Sequence, residues 1–393
     1  MSNGRALRAV REQRQLDIDE VASVASISNK KLEIFEGGEA APSRRQLQRL
    51  SEIYGVPVYS LASDRIPNLP PLPEDYRTAV PGPASLSPKG LKALWASERI
   101  AHFTKQLATE LSFEAPDWSV AARRANDPQA RATAFRQSFD EWLHSRKEKL
   151  SFAGSPEQKF LGAFRLFLEV QGSVVNVNDA PADDYFGFYT KPDGGSPTIF
   201  VNRSIQSKKA QLFTLAHECA HALMGKDGIS NPFMLKNSIE RDCNKFAAEF
   251  IAPAAEFQSV ASSKPASIRG NLSEFISKVS ADTFLSKHAT AIRLIETGFI
   301  TQAQYRGWAR IWVQNVKSEK EEEKEESESN AGGNPHAKRI SELGTLPIYL
   351  SFMAIKEGLI DRYDVVSGLN LSEGLQDRAY DLAARRLGAA LPK

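Results

Sequence analysis

The stretch QLFTLAHECAHALMG, residues 211–225, places His217 and His221 four positions apart, with Glu218 directly after the first histidine. Residues four apart share one face of an α-helix, so both imidazoles can bind a single ion. Glu218 is rotated by about 100° from His217, which places it beside such an ion, where it can act as a general base on a water molecule. The stretch therefore predicts a helix, roughly 208–224, that carries half of a metal site.

The surroundings of the two histidines favour a metal site over a pair of surface histidines. The remaining positions of the helix would bury it in a protein core, where idle imidazoles are costly to place. A structural role for two histidines at the edge of a core helix is the weaker alternative. The apolar positions are Leu212, Phe213, Leu215, Ala216, Ala220, Leu223 and Met224.

Zinc in a catalytic site needs a third protein ligand and an open fourth position. Asp227 follows His221 by six residues, as in metzincin sites, but the glycine of that pattern is absent. Glu249 would face the site only if its helix were rotated. Glu240 follows His221 by nineteen residues, as in a gluzincin-like site, and its helix face continues through Asn244. We favour Glu240 as the ligand and Asn244 as a residue that orients a ligand.

Composition restricts the class of protein. The chain has 393 residues, which suggests two to three domains, and its net charge of +2 argues against a basic surface over the whole chain. We find neither a signal peptide nor a run of about 18 apolar residues, so we expect a soluble, cytoplasmic protein without membrane contact. Two cysteines form no disulfide framework, in keeping with a reducing compartment.

The sequence divides into five segments and predicts a multidomain, predominantly α fold with a small β-sheet (α+β). Short amphipathic helices fill residues 1–65, and seven prolines between Pro67 and Pro88 predict a semi-rigid linker over 66–90. We assign 91–316 to the metal-binding domain. A charged, solvated tether over 317–334 then leads to a small helical module at 335–393.

Three short strands are predicted before the histidine helix, in SVVNVN, YFGFYT and PTIFVN, because β-branched and aromatic residues dominate them. PTIFVN directly precedes the helix. We therefore expect it to be an edge strand on which an extended peptide could lie.

Two separated runs, PTIFVNRSIQSKKAQLFTLAHECAHALMG and IERDCNKFAAEFIAP, resemble the ImmA/IrrE family of bacterial and phage metallopeptidases. The resemblance covers about residues 155–300. It implies a gluzincin-like metallopeptidase domain with an HExxH helix, a zinc ion, and a narrow protein target such as a helix-turn-helix repressor or an antitoxin. By position it assigns His217, His221 and Glu240 to the metal and Glu218 to general-base catalysis.

Three further residues carry weaker signals. Cys219 stands where the family has a small or apolar residue, and its helical position turns it away from the ion. We interpret Cys219 and Cys243 as packing residues, with a thiol ligand at Cys219 as the alternative. His288 is expected on a helix surface, and a catalytic role is the less favoured reading.

Residues 1–65 resemble the Cro/repressor (XRE) helix-turn-helix domains, through LRAVREQRQLDIDEVASVASIS and LEIFEGGEAAPSRRQLQRLSEIYGVPVYSL. The resemblance implies binding to double-stranded DNA, with the third helix in the major groove. Ile18 replaces a frequent glutamine, and ten basic against nine acidic residues leave a charge of only +1. Phosphate contacts should thus give modest affinity unless a homodimer doubles them. Expected base contacts are Ser28, Asn29, Lys30 and Lys31, with Arg44 and Arg45 toward phosphate.

These features together predict a DNA-binding transcriptional regulator with a zinc-dependent endopeptidase domain. The resemblance implies cleavage of its target during stress or phage induction, and cleavage of the chain itself near residues 66–85 stays open. The alternative is a transcriptional regulator or antitoxin whose peptidase-like domain senses zinc or is inactive. Glu218 argues against that alternative, since a structural zinc site needs no base.

Overall fold

The computed structural model describes residues 4–62, 69, 72, 86–204, 207–230, 237–311 and 335–391. The tether predicted at 317–334 and most of the linker predicted at 66–90 therefore lie outside the described residues. The described parts are mainly helical with one four-stranded sheet, which confirms the predicted α+β fold. A described helix begins at Pro88, inside the predicted linker, because proline is tolerated in the first turn of a helix.

Five short helices form the N-terminal unit. Asp17 accepts hydrogen bonds from two backbone N–H groups of the second helix, and Ser43 forms a reciprocal capping box at the fourth. Gly38 ends the third helix with φ of 78°, a left-handed conformation that glycine adopts without steric cost. The helices are α1 (Gly4–Gln13), α2 (Ile18–Ala25), α3 (Asn29–Gly37), α4 (Arg44–Tyr54) and α5 (Val58–Ala62).

Four helices precede the sheet and supply much of its supporting core. Ser87, Asp127 and Ser155 cap three of them through their side chains, each followed directly by proline. Phenylalanine rings from the third and fourth helices pack against one another. The helices are α6 (Pro88–Glu110), α7 (Val120–Arg124), α8 (Pro128–Ser145) and α9 (Pro156–Val170).

The sheet contains β1 (Val174–Asn178), β2 (Gly187–Thr190), β3 (Thr198–Asn202) and β4 (Gly228–Ser230) in the order β1-β3-β2-β4. β1 runs parallel to β3, whereas β2 is antiparallel to both β3 and β4. The prediction that PTIFVN forms an edge is therefore wrong, because β3 lies between β1 and β2. The three-residue strand β4, which the sequence pattern did not predict, forms an edge of the described sheet.

The helices that follow β3 build the metal-binding side of the molecule. α10 (Lys208–Met224) packs on β2 and β3 and against α11 (Ser238–Ile251). The predicted bounds of the histidine helix, 208–224, agree with those of α10. The remaining helices of this part are α12 (Ala254–Ser262), α13 (Ala266–Arg269), α14 (Leu272–Ala281), α15 (Lys287–Glu296) and α16 (302–311).

A C-terminal module of four helices covers the outer edge of β1. The Asn176 side chain of β1 donates to the carbonyls of Glu342 and Leu343 at 3.1 and 3.0 Å. Arg165 donates to the carbonyls of Val175 and Ile340. These bonds satisfy the carbonyls that end the first helix of the module. The helices are α17 (Pro335–Leu343), α18 (Thr345–Lys356), α19 (Arg362–Leu369) and α20 (Glu373–Ala390).

The N-terminal unit shares one apolar cluster with α6 and with one face of the sheet. Leu91 and Leu94 of α6 join the core of α1–α5 to Phe188 and Phe200 of the sheet. Trp95 donates its indole N–H to the Ile53 carbonyl at 3.2 Å. α6 thus contacts both the helix-turn-helix unit and the strands that support α10.

Candidate metal centre

α10 presents its two histidines on one buried face. Ser207 caps the start of the helix and Gly225, with φ of 62°, ends it one residue after Met224. His217 and His221 both have no exposed surface, and their ring centroids lie 5.1 Å apart. The two ring planes are tilted by 54°, so the imidazoles are not stacked on each other.

Glu240 meets both histidines from the first turn of α11. Its Oε2 lies 3.1 Å from His217 Nε2, and its Oε1 lies 3.2 Å from His221 Nε2. The carboxylate is fully buried. Burial alone raises the pKa of a carboxyl group, but the two imidazoles outweigh it, so the pKa of Glu240 is lowered and the group stays ionised.

Asn244 lies one helical turn after Glu240 and contacts the far side of the first histidine. Its Oδ1 is 3.0 Å from His217 Nδ1. Because an amide oxygen only accepts, this bond places a ring proton on Nδ1 and leaves Nε2 facing Glu240. This is the position at which a residue orients a histidine ligand.

The spacing of the three side chains fits a zinc ion. Two ligands at about 2.0–2.1 Å from a tetrahedral ion lie roughly 3.3 Å from each other. The carboxylate oxygens and the imidazole nitrogens are 3.1–3.2 Å apart, close to that value. Two neutral nitrogens and one carboxylate are also a donor set that zinc accepts. The residues therefore fit the metal implied by the sequence.

Cys243 lies nearer to the centre than its reading as a packing residue implied. The ligand atoms of His217, His221 and Cys243 all lie within 4.8 Å of one another, and this buried group could hold a metal ion. Burial raises the pKa of the thiol well above its usual value. Its position three residues after Glu240, on the same helix face, is the signal that could have revealed it. Cys219 packs in the core with Tyr189 of β2.

Glu218 is fully buried beside the histidines. A Cβ atom on Gly187 of β2 would stand 2.8 Å from Glu218 Oε1 and 2.6 Å from Thr214 Cγ2. The backbone of β2 thus approaches α10 as closely as only glycine permits. The role of Gly187 was missed, although a glycine inside the strand pattern YFGFYT is a signal of close approach.

The other two candidate ligands are engaged elsewhere. Asp227 Oδ2 accepts the backbone N–H of Lys191 at 2.9 Å, just beyond β2. Glu249 forms a buried ion pair with Arg293 and accepts the N–H of Ala254 at 3.1 Å. Among the described residues, Glu240 is the candidate carboxylate that contacts both histidines.

The predicted DNA contacts lie on the surface of the N-terminal unit. They occupy the starts of α3 and α4, where helix N-termini favour phosphate groups. Asn29 donates to Asp19 at 2.6 Å, which orients it at the start of α3. All six side chains are exposed: Ser28, Asn29, Lys30, Lys31, Arg44 and Arg45.

Two family models match the chain. Residues 4–61 match a helix-turn-helix domain, and residues 168–294 match the IrrE N-terminal-like domain of the M78 peptidases. The chain therefore joins a helix-turn-helix domain, a DNA-binding module, to a metallopeptidase-type domain, and both resemblances are confirmed. No curated protein matches the chain. Within the described residues, no helix is both long enough and apolar enough to cross a membrane.

Proposed function

We propose that this protein is a DNA-binding transcriptional regulator whose second domain is a zinc-dependent endopeptidase. The observation that carries the proposal is the meeting of His217, His221 and Glu240 at 3.1–3.2 Å, with Glu218 next to the first histidine. Three ligands leave a fourth position for water or substrate, and an adjacent carboxylate gives that position a base.

Each side chain of the site has a separate role in the proposed hydrolysis. His217, His221 and Glu240 would hold a zinc ion, which would supply Lewis-acid chemistry to a peptide carbonyl and a water molecule. Glu218 accepts the proton of the attacking water and passes it to the departing amine. Asn244 holds the His217 ring so that Nε2 points into the centre, and burial of the whole group strengthens its electrostatic interactions.

We place an extended substrate along β4. A peptide can add to a sheet where backbone groups are unpaired, and β4 pairs with β2 on one side within the described residues. β4 begins three residues after the helix-ending Gly225, so a strand added there would pass close to the histidines.

The family resemblance supports a protein target of the helix-turn-helix repressor or antitoxin type. Binding to DNA through residues 4–61 would bring the peptidase to promoters occupied by such proteins. Cleavage would then relieve repression during stress or phage induction, inside the cytoplasm.

The direct test incubates the zinc-loaded protein with repressors encoded beside its gene and determines fragment masses. Glu218→Gln should abolish cleavage while zinc content stays at the wild-type value, because the glutamine keeps the shape and loses the base. Glu256→Gln, a change at an exposed position, is the matched control and should cleave normally. Cleavage by the Glu218→Gln protein would refute the assignment of the base.

Zinc content tests the third ligand separately. Glu240→Ala should lower the zinc-to-protein ratio measured by plasma mass spectrometry. An unchanged ratio would exclude Glu240 and redirect the search to Asp227 and Glu249.

Cys243 favours a second function, a zinc sensor without proteolysis. Its thiol lies within 4.8 Å of both histidine ligand atoms and could close the fourth position. A sensor of this kind would lose tight zinc binding in Cys243→Ser and show no fragments with any repressor. The peptidase would keep its zinc in the same variant.

A further inference from the structure

A cavity of about 220 Å³ lies between α10, α11 and α15, with Phe186, directly before β2, also in its wall. Its lining is mainly apolar. The apolar side chains are half-buried, so they present surface that the fold itself does not fill. They are Phe186, Ala210, Phe213, Ala248, Ala289 and Ile292.

The cavity adjoins the metal centre through shared wall residues. Asn244, which holds His217 through a 3.0 Å hydrogen bond, forms part of its wall. Thr214 also lines it and lies one helical turn before Glu218. The cavity therefore lies beside the residue that holds the first histidine and beside the helical turn that precedes the proposed base.

Three alanines set the width of the cavity, one from each of its helices. Ala210, Ala248 and Ala289 carry the smallest side chains that still build a helix well. A longer residue at any of these positions would occupy the space. An apolar cavity of about 150 Å³ binds benzene, so 220 Å³ is sufficient for a phenylalanine ring or a leucine side chain.

The polar groups of the wall select against charge. His288 Nε2 lies 3.0 Å from the Tyr305 hydroxyl, and burial lowers the pKa of His288, which keeps the ring neutral. Among the charged residues that line the cavity, Arg293 pairs with Glu296 at 3.0 Å, whereas Arg241 and Lys245 are exposed. Two cations there disfavour a lysine or arginine side chain by like-charge repulsion.

We propose that this cavity binds a bulky apolar side chain of the substrate, such as leucine, methionine or phenylalanine, next to the scissile bond. The inference rests on the proposed peptidase function for its catalytic meaning. The binding of the side chain itself can be measured without any cleavage.

The binding experiment uses the full-length protein and four probes, the N-acetyl amides of phenylalanine, leucine, glycine and lysine. Titration followed by NMR should show the phenylalanine and leucine amides binding at least tenfold more tightly than the glycine and lysine amides. Ala289→Leu and, independently, Ala248→Leu should lower phenylalanine-amide affinity at least tenfold. Ala255→Leu, at an exposed position of α12, should leave it unchanged.

Two results would overturn the proposal. Equal affinity for the phenylalanine and glycine amides would show that the cavity does not select apolar groups. Unchanged affinity in both leucine variants, each with a wild-type melting temperature, would place the binding elsewhere.

The cleavage experiment separates this proposal from the proposed function. A synthetic decapeptide library should be cut by the zinc-loaded protein beside leucine, methionine or phenylalanine, and Ala289→Leu should shift the cuts toward alanine and serine. Cuts beside charged residues would contradict the cavity assignment. Apolar amides that bind while no peptide is cut would count against the peptidase function and leave the cavity assignment in place.

Discussion

Gly187→Ala should damage the centre without touching a ligand. The added Cβ would lie 2.6 Å from Thr214 Cγ2, 2.8 Å from Glu218 Oε1 and 2.8 Å from the Phe200 carbonyl. Three overlaps of this size in a packed interior cost about 1–3 kcal/mol, and alanine returns about 0.4–1 kcal/mol by restricting the unfolded chain. We expect a net loss of about 1–2 kcal/mol in the free energy of unfolding.

The effect on catalysis should exceed the effect on stability. Relief of the contact with Glu218 requires the carboxylate or β2 to move by about half an ångström. Misplacement by about 1 Å can lower a rate about a hundredfold, so kcat/KM should fall by about tenfold or more. The assays are repressor cleavage, thermal unfolding and zinc content, which should stay at the wild-type ratio because all three ligands remain.

A matched variant and a double variant make the reasoning refutable. Gly388 is exposed in α20 with nothing within 4 Å of a new Cβ, so Gly388→Ala should stabilise by about 0.5–1 kcal/mol. Thr214→Ser removes the nearest of the overlapping atoms and should restore part of the loss in a Gly187→Ala background. Wild-type kcat/KM and melting temperature in Gly187→Ala would refute the argument.

Three other changes test the parts around the centre. Burial raises the pKa of Glu98 from 4.5 to about 7, so the free energy of unfolding should fall as the pH rises through that window. The urea midpoint of Glu98→Gln should therefore be higher than that of the wild type at pH 8 and equal to it at pH 4. The same difference between the two proteins at both pH values would contradict this. Asn176→Ala should lower the free energy of unfolding by about 2 kcal/mol in urea titrations, with Asn178→Ala near zero, because two buried carbonyls lose their donor. Arg44→Ala with Arg45→Ala should weaken DNA binding in fluorescence anisotropy and reduce the log–log salt slope by about two, whereas an unchanged slope would remove both from the phosphate contacts.

Local patterns predicted the helices and the core of the site. Capping residues such as Asp17 and Ser43 are legible in sequence because each acts on a backbone group within three positions. Helix periodicity also explains the histidine spacing and the choice of Glu240. It places His217 and His221 on one face of their helix, and it places Glu240 and Asn244 on one face of theirs. In the structure Glu240 contacts both histidines at 3.1–3.2 Å, and its role as a ligand stays a prediction.

Sheet order and close packing could not be predicted in the same way. The pattern of β-branched and aromatic residues identifies PTIFVN as a strand, but this pattern does not show which strands lie on either side of it in the sheet. β1 pairs directly with β3 although β2 comes between them in the sequence, and that arrangement depends on contacts distant in sequence. β4 has only three residues, too few to produce a pattern. The close approach of Gly187 to Glu218 likewise depends on how β2 packs against α10, which the local sequence does not determine.

The N-terminal part of α6 forms hydrogen bonds with the segment that leads into β2. These bonds connect α6, which packs on the helix-turn-helix unit, to a strand that packs against the histidine helix. Asp184 accepts the Ser87 backbone N–H at 3.1 Å, and the Tyr185 hydroxyl donates to the Gly90 carbonyl at 2.8 Å. Two residues after Tyr185, Gly187 packs against the proposed base. Since α6 also packs against α4, the described contacts connecting the helix-turn-helix unit to the metal centre pass through α6 and the start of β2. Leu69 and Leu72, from the segment between α5 and α6, pack against the same apolar cluster and add to that connection.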